Sequence, residues 1–384
     1  MWLANKVEPE DPSVWHFEQW EQVTVPHDWA VYKEYDPSGW FYSGFIKPGV
    51  GCYRKTFSIP AEYEGKKITI DFEGVARNTT VWLNGFLIGS HFSGYTPFYF
   101  DISDYLRYGD EGENVLFLKV DAREPEGWWY EGAGIYRHVY LNITEQVYLD
   151  RYGVFITTEN ATSALAEVQV EISIFNENTH NNQIILRTTL LDNQNTIIAC
   201  CEEPVCLKHE THQKVLQKIT VKEPNLWDVD SPYLYTAQCQ LFVCGVEIDS
   251  VCNTFGIRTI AFKPEGFYLN GKHLPIKGVC CHQDFGGIGV ALPDSIHEYK
   301  ISRLKEMGAK RVFICCTFGL FTNGLEKFDK AYEDGEDVII ELDANSIKAT
   351  YIFPKTTFIP NPLDIIKEFY NLMLAFFNPA SYAF

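Results

Sequence analysis

The chain has 384 residues, 46% hydrophobic and 15% aromatic, with 32 Lys plus Arg against 51 Asp plus Glu and a net charge of −19. That length exceeds what one hydrophobic core usually supports, and the composition is that of packed globular domains, so two or three domains are expected. So acidic a surface repels phosphate backbones and anionic lipid, which argues against nucleic acid and membrane as partners and leaves neutral ligands open.

No apolar run reaches the ~18 to 20 residues that span a bilayer. Met1-Trp2-Leu3-Ala4-Asn5-Lys6 lacks the basic start and apolar core of a secretory leader. The eleven cysteines include the adjacent pairs Cys200-Cys201, Cys280-Cys281 and Cys315-Cys316, and no C-x-x-C occurs. Such spacing suits neither a disulfide framework nor a zinc site, so reduced thiols and a cytoplasmic location are expected. The sequons at Asn78, Asn142 and Asn160 would matter only in a secretory pathway.

Residues 1–145 form the first expected domain. Trp15 to Trp29 carries aromatics and the turn-prone Pro26-His27-Asp28. Strands are expected over Cys52 to Pro60, Ile68 to Val75, Thr79 to Gly89 and Asn114 to Val120. Asn84-Gly85 marks a hairpin, because both residues tolerate positive φ. Many short strands between turn residues suggest a jelly-roll β-sandwich. The motif Trp82-Leu83-Asn84-Gly85, with Gly94-Tyr95-Thr96-Pro97-Phe98 and Gly127-Trp128-Trp129-Tyr130-Glu131-Gly132-Ala133-Gly134-Ile135-Tyr136-Arg137, resembles the sugar-binding domain of glycoside hydrolase family 2. That family comprises β-galactosidases, β-glucuronidases and β-mannosidases. The resemblance implies that a loop of this domain reaches the substrate, through Glu126 or Glu131. The Trp128-Trp129-Tyr130 cluster fits either sugar stacking or packing between domains.

Residues 146–255 form the second expected domain. Ala166 to Ile174 alternates apolar and polar residues strictly, and Ile184 to Leu191 and Tyr235 to Leu241 add strands. An immunoglobulin-like β-sandwich is expected, with Pro224-Asn225-Leu226-Trp227 resembling the family's middle domain. Asn176-Glu177 copies the family's acid/base pair. Its place at the end of an amphipathic strand, beside Asn178 and Thr179, is that of turn residues.

Residues 256–384 are expected to hold part of a (β/α)8 barrel, making the whole a multidomain, mainly β protein. Asn270-Gly271 is a second hairpin signal. Ile276 to Cys280 reads as barrel strand one. Ser295-x-x-Glu298 reads as a capping box opening a helix whose buried stripe is Ile296, Tyr299, Leu304 and Met307 and whose end is Gly308. Strands are expected over Arg311 to Cys315 and Val338 to Ile340, with a helix over Leu325 to Glu333. Barrel chemistry sits at the C-terminal ends of strands. There the resemblance implies substrate-binding roles for His282 and Asp284 after strand one, and for Glu341 after strand three. It also implies Arg-x-Ser-His after strand two, where this chain has Phe313-Ile314-Cys315-Cys316-Thr317-Phe318.

Retaining hydrolysis needs two carboxyl groups about 5 to 5.5 Å apart, which the family places after barrel strands four and seven. A full barrel takes roughly 250 residues. An incomplete barrel, a divergent apolar tail around Phe369 to Phe377 and no catalytic residue are therefore expected. The implied function is β-galactosidase-like hydrolysis of a β-linked saccharide, in a truncated and inactive form. The alternative is a non-catalytic carbohydrate-binding protein. No cofactor and no metal are expected, Glu341 and Asp343 being the only candidates near the family's cation position.

Overall fold

The computed structural model describes residues 2–7, 20–124, 129–275, 282 and 284–307, plus the backbone of two strands at 312–316 and 338–342. These residues fall into two compact units. One takes 2–143 and 282–307; the other takes 144–275 and the two later strands. The expected strand at 276–280, the helix at 325–333, Gly308, Glu126 and Trp128 lie outside the described residues.

The first unit contains β1 (Trp2–Val7), β2 (Glu21–Val23), β3 (Val50–Phe57), β4 (Lys67–Phe72), β5 (Thr79–Leu83), β6 (Phe86–His91), β7 (Phe98–Asp101), β8 (Asn114–Asp121) and β9 (Val139–Thr144). Six of them pair in the order β2-β1-β3-β8-β5-β6, and three in the order β7-β4-β9. Period-two alternation sets the inner face. In β8, Asn114, Leu116, Leu118 and Val120 are buried while the residues between them are half-buried. Their partners in one core are Tyr53 and Leu83 from the large sheet and Ile68, Ile70 and Phe72 from the small one. Each such side chain contributes about 1.5 to 3 kcal/mol by leaving water. This is a jelly-roll type of β-sandwich. The β5–β6 turn is Asn84-Gly85, at φ 52° and 89°. The Asn84 side chain also donates to Tyr105 O at 2.7 Å and accepts from Val115 N at 2.9 Å, so its role is structural.

The second unit contains β10 (Val147–Ala161), β11 (Leu165–Asn176), β12 (Asn182–Leu191), β13 (Ile197–Leu207), β14 (Thr211–Lys222), β15 (Tyr235–Val243) and β16 (Val246–Phe255). They form sheets β10-β11-β14 and β13-β12-β15-β16, three strands against four, as in an immunoglobulin constant-type sandwich. Val168, Val170, Ile172 and Ile174 of β11 share a core with Leu186 and Leu190 of β12 and with Cys239 and Leu241 of β15. Asn176 ends β11 fully buried. Its side-chain amide donates to Lys208 O at 2.8 Å and to His180 O at 3.1 Å, and its oxygen accepts from Asn178 N at 3.1 Å. Glu177 accepts from Tyr148 Oη at 2.7 Å. The Asn176-Glu177 pair thus holds a turn.

A meander of β17 (Ile260–Lys263), β18 (Gly266–Leu269) and β19 (Lys272–His273) follows, with Asn270-Gly271 at φ 47° and 76° in its second turn. Helix α1 (Asp294–Glu306) corrects two expectations. Pro293, at φ −73° and ψ 155°, is its N-cap and no side chain caps it, so Ser295 lies inside the first turn and makes no capping box. Pro293 has the extended backbone of an N-cap, so the helix begins at Asp294, ahead of the serine. The buried residues of α1 are Lys300 and Ile301, whereas Tyr299 is 47% exposed. Ile296, Leu304 and Met307 of the expected stripe are half-buried, so only Tyr299 departs from it, and Lys300 takes the centre of that face with its ammonium donating to Asp284 O at 3.2 Å. Strands β20 (Val312–Cys316) and β21 (Val338–Leu342) pair in parallel. Among the described residues no helix is long and apolar enough to cross a membrane.

Candidate functional site

The site grows from the segment Gly132-Ala133-Gly134. Gly132 has φ +69° and Gly134 φ +122°, a region that favours glycine. A side chain on Gly132 would meet Val290 and Asp28, and one on Gly134 would meet the Tyr53 hydroxyl and His27 O. This close approach lets the segment pair with the strip following Pro26. His27 N donates to Ile135 O at 2.7 Å, and Trp29 N donates to Ala133 O at 3.0 Å.

Asp28 ties the arrangement together. Its carboxylate is 3% exposed and accepts four hydrogen bonds: from Ala30 N at 2.9 Å, Ala133 N at 3.1 Å, Tyr130 Oη at 2.8 Å and Val290 N at 3.0 Å. Burial holds the carboxyl above its ordinary range, and the four donors act against that shift. The loop carrying His282 and Asp284 is thereby held against the first sandwich.

The consequence for the expected site residues is direct. The Trp129 ring lies 4.3 Å, centre to centre, from the His282 ring at an angle of 43°. Asp284 stands two residues on. Burial pushes its carboxyl up, with its own backbone amide, His282 and Lys300 pulling it down. Two of the three expected substrate-binding residues therefore share one unit with the aromatic motif. Glu341 lies on β21, where side chains are outside the described residues. Behind Trp129 runs a hydrogen-bonded chain. Trp129 Nε1–H donates to Tyr95 Oη at 2.9 Å, and Tyr95 O–H donates to Glu131 Oε1 at 2.9 Å. Arg77 Nη1 stands 3.8 Å from Glu131 Oε2, both side chains being nearly buried. Glu131 thus serves as acceptor for this chain.

Asp28, Arg77 and Lys300 were not singled out as site residues in the sequence. Arg77 sits between two strands with no motif of its own, and Lys300 reads as an ordinary polar helix residue. Only Asp28, next to Pro26-His27, carried a turn signal. Among the described residues no cluster of three or more His, Cys, Asp or Glu is placed to hold a metal ion.

Comparison with known proteins fits this geometry. The family profile described as "Glycosyl hydrolases family 2, sugar binding domain" matches residues 12–145, and "Glycosyl hydrolases family 2" matches residues 147–258. The chain belongs to glycosyl hydrolase family 2. It is 35% identical over 300 residues to the β-galactosidase BoGH2A of Bacteroides ovatus, covering 76% of this chain and 35% of that protein. It is 30% identical over 316 residues to a β-glucuronidase of Formosa agariphila, covering 75% of this chain and 32% of that one. A solved family 2 structure from Bacteroides cellulosilyticus superposes with a TM-score of 0.75 at 33% identity, over 88% of this chain and 46% of its own. The chain therefore spans about a third of the curated relatives that it matches. Within family 2, the sugar-binding match contains Asp28, Arg77, Tyr95, Trp129 and Glu131, while His282 and Asp284 lie beyond both matched stretches.

Proposed function

We propose that these 384 residues carry the front part of a retaining β-glycosidase and contribute one wall of its substrate site, for a β-linked, galactoside-like saccharide. The contact of Trp129 with His282 carries this reading. An indole face suits the apolar CH surface of a sugar, and an imidazole and a carboxylate beside it suit the hydroxyls. The domains would be residues 1–145, 146–255 and 256–384, the last holding part of a (β/α)8 barrel, with His282, Asp284 and Glu341 as substrate-binding residues. Their setting would be cytoplasmic, in keeping with a cysteine set that includes exposed free thiols.

The chemistry needs a proton donor and a nucleophile across one glycosidic bond, and the family resemblance puts both after later barrel strands. These 384 residues are therefore expected to bind a β-linked saccharide without cleaving it. The test is an assay of the purified chain on chromogenic β-galactoside, β-glucuronide and β-mannoside, with calorimetry on the intact sugars. Saturable binding lost in His282→Ala, without turnover, supports the reading. Turnover abolished by His282→Ala would place the reaction in this chain and overturn the non-catalytic part. A chain that binds none of these sugars removes the reading altogether.

A further inference from the structure

Residues 285–289 form a closed turn directly after Asp284. Phe285 N donates to Gly289 O, and Ile288 N and Gly289 N donate to Phe285 O, each at 3.0 Å. Gly286, Gly287 and Gly289 make up most of the turn, with Gly287 at φ +79° and Gly289 at φ +83°. Glycine gives up more backbone freedom on ordering than any other residue. Such a turn can fix the direction of Asp284 only if its two ends are held from outside.

Two buried groups of opposite charge hold those ends, and both act on the backbone. At the far end the Asp28 carboxylate accepts Val290 N at 3.0 Å. At the near end the Lys300 ammonium donates to Asp284 O at 3.2 Å. An anion thus takes the N–H that leaves the turn, and a cation takes the C=O that enters it.

Lys300 is 6% exposed. It lies in the middle of the row Ile296, Lys300 and Leu304, successive i+4 positions on one face of α1. A helical side chain leans toward the helix N-terminus, which carries this one back over the turn that precedes α1. Its ammonium also stands 5.7 Å from the centre of the Phe285 ring, and Tyr299 meets that ring edge-on at 6.0 Å and 88°. Lysine is almost never fully buried unless paired, and its lost hydration costs several kcal/mol. The ammonium gives the row what an apolar residue cannot: a grip on the Asp284 carbonyl and a positive charge close to the Asp284 carboxyl.

We propose that Lys300 is a positioning residue of the substrate wall: by gripping the Asp284 carbonyl it fixes where the Asp284 carboxylate meets the hydroxyls of a β-linked saccharide. Lys300, being buried, does not itself touch the sugar. The inference rests on the β-glycoside reading, and its test separates the two. Compare the intact chain with Lys300→Met, which keeps the length of the side chain and a good helix former, and with Lys300→Arg, which keeps the charge. Circular dichroism and urea denaturation check each fold.

Amide hydrogen exchange read by mass spectrometry reports on the turn with no sugar present. In Lys300→Met, exchange within residues 285–290 should rise about tenfold while β3 and β8 stay as protected as in the parent. Lys300→Arg should restore most of that protection. Calorimetry then uses whichever of the intact β-galactoside, β-glucuronide and β-mannoside the parent binds, at a temperature where every variant is folded. Affinity should fall at least about fivefold in Lys300→Met and return to within about twofold of the parent in Lys300→Arg. In an Asp284→Asn background the same Lys300→Met change should cost less than about twofold, because residues acting through one group are not additive.

Unchanged exchange at 285–290, or unchanged affinity in Lys300→Met, overturns the proposal and leaves the β-glycoside reading standing. So does an equal loss of affinity in the parent and Asp284→Asn backgrounds, which makes Lys300 part of the fold alone. A parent chain that binds none of the three sugars overturns the β-glycoside reading, and the positioning role falls with it even where the turn loosens. Lys300→Gln, a shorter and neutral donor, replaces Lys300→Met if that variant is poorly folded, with the same expected losses.

Discussion

Asp28 Oδ2 accepts the backbone N–H of Val290 at 3.0 Å, across 262 residues of sequence. The same carboxylate takes Ala30 N, Ala133 N and the Tyr130 hydroxyl. One buried side chain thus joins the strip after Pro26, the glycine segment and the loop bearing His282. Replacing it with alanine strands four buried donors, and each orphaned donor costs about 1 to 3 kcal/mol. Asp28→Ala is expected to destabilise the first unit by at least about 3 kcal/mol, and Asp28→Asn by less, because one acceptor oxygen survives. Urea denaturation followed by tryptophan fluorescence measures both. Equal midpoints for the two variants would remove the latch.

Gly132→Ala tests the other half of the same joint. At φ +69° a Cβ is strained, and here it would also press on Val290 and the Asp28 carboxylate. Losing either neighbour loosens the His282 loop. The expected outcome is a destabilisation of about 2 kcal/mol or more, with faster proteolysis within residues 282–290 than elsewhere in the first unit. Gly85→Ala is the control. Its φ is +89°, yet no heavy atom stands within 4 Å of the added carbon, so it pays backbone strain alone and leaves that loop protected.

The β-sandwich parts were legible because their signals are local. Asn84-Gly85 and Asn270-Gly271 announce turns by backbone chemistry alone, and the alternation in β8 and β11 depends only on the pleat. Asn176-Glu177 was legible as a turn for the same reason. The failures are tertiary. Ser295 looked like a cap until Pro293 took that position, and Lys300 was passed over because a lysine is rarely buried without a distant acceptor such as Asp284 O. Half of the candidate site was readable as motif, in Trp129, His282 and Asp284. The contact between them was not, since it depends on Asp28 and Val290 meeting across the chain.

Tyr95 is expected to govern the attitude of Trp129. Its hydroxyl receives the indole N–H and passes its own hydrogen to Glu131. Tyr95→Phe breaks both bonds while keeping the ring, a change worth about 1 to 2 kcal/mol. Saccharide binding at the Trp129–His282 contact should fall several-fold, with only a small loss of stability. Calorimetry beside thermal melting separates these. A melting shift without a binding change would make the hydroxyl purely structural.

Two thiols should be silent in the native protein. Burial pushes Cys52 up to about 12 and Cys239 up to about 11, and the thiolate is the reactive form. Cys200, Cys206 and Cys244 are exposed. Brief alkylation at pH 8 followed by peptide mapping should label these three and spare Cys52 and Cys239 until urea is added. The linkage has a definite sign. A thiol that ionises near 9 when unfolded but near 12 when folded binds more protons in the native state across that window. Stability therefore falls as pH rises above 9, by up to about 1.4 kcal/mol per pH unit for each thiol.

Asp284 offers a trade between stability and binding. Burial raises its carboxyl above the ordinary 3.8, so the folded protein holds the proton more tightly than the unfolded chain does. The stabilisation from this group is fully present below the unfolded value and is lost as pH rises through the folded one. Folding disfavours the ionised form of this group, which stands beside His282 and Lys300. Asp284→Asn should raise the melting temperature at pH 7 and leave it nearly unchanged at pH 3, while weakening β-linked saccharide binding at pH 7 and little at pH 3, where the parent carboxyl is itself protonated. In the parent chain, binding should weaken on acidification sooner than an exposed aspartate would allow. A variant that melts lower at pH 7 than the parent would mean that the charge holds the loop together, and would remove Asp284 from the substrate wall.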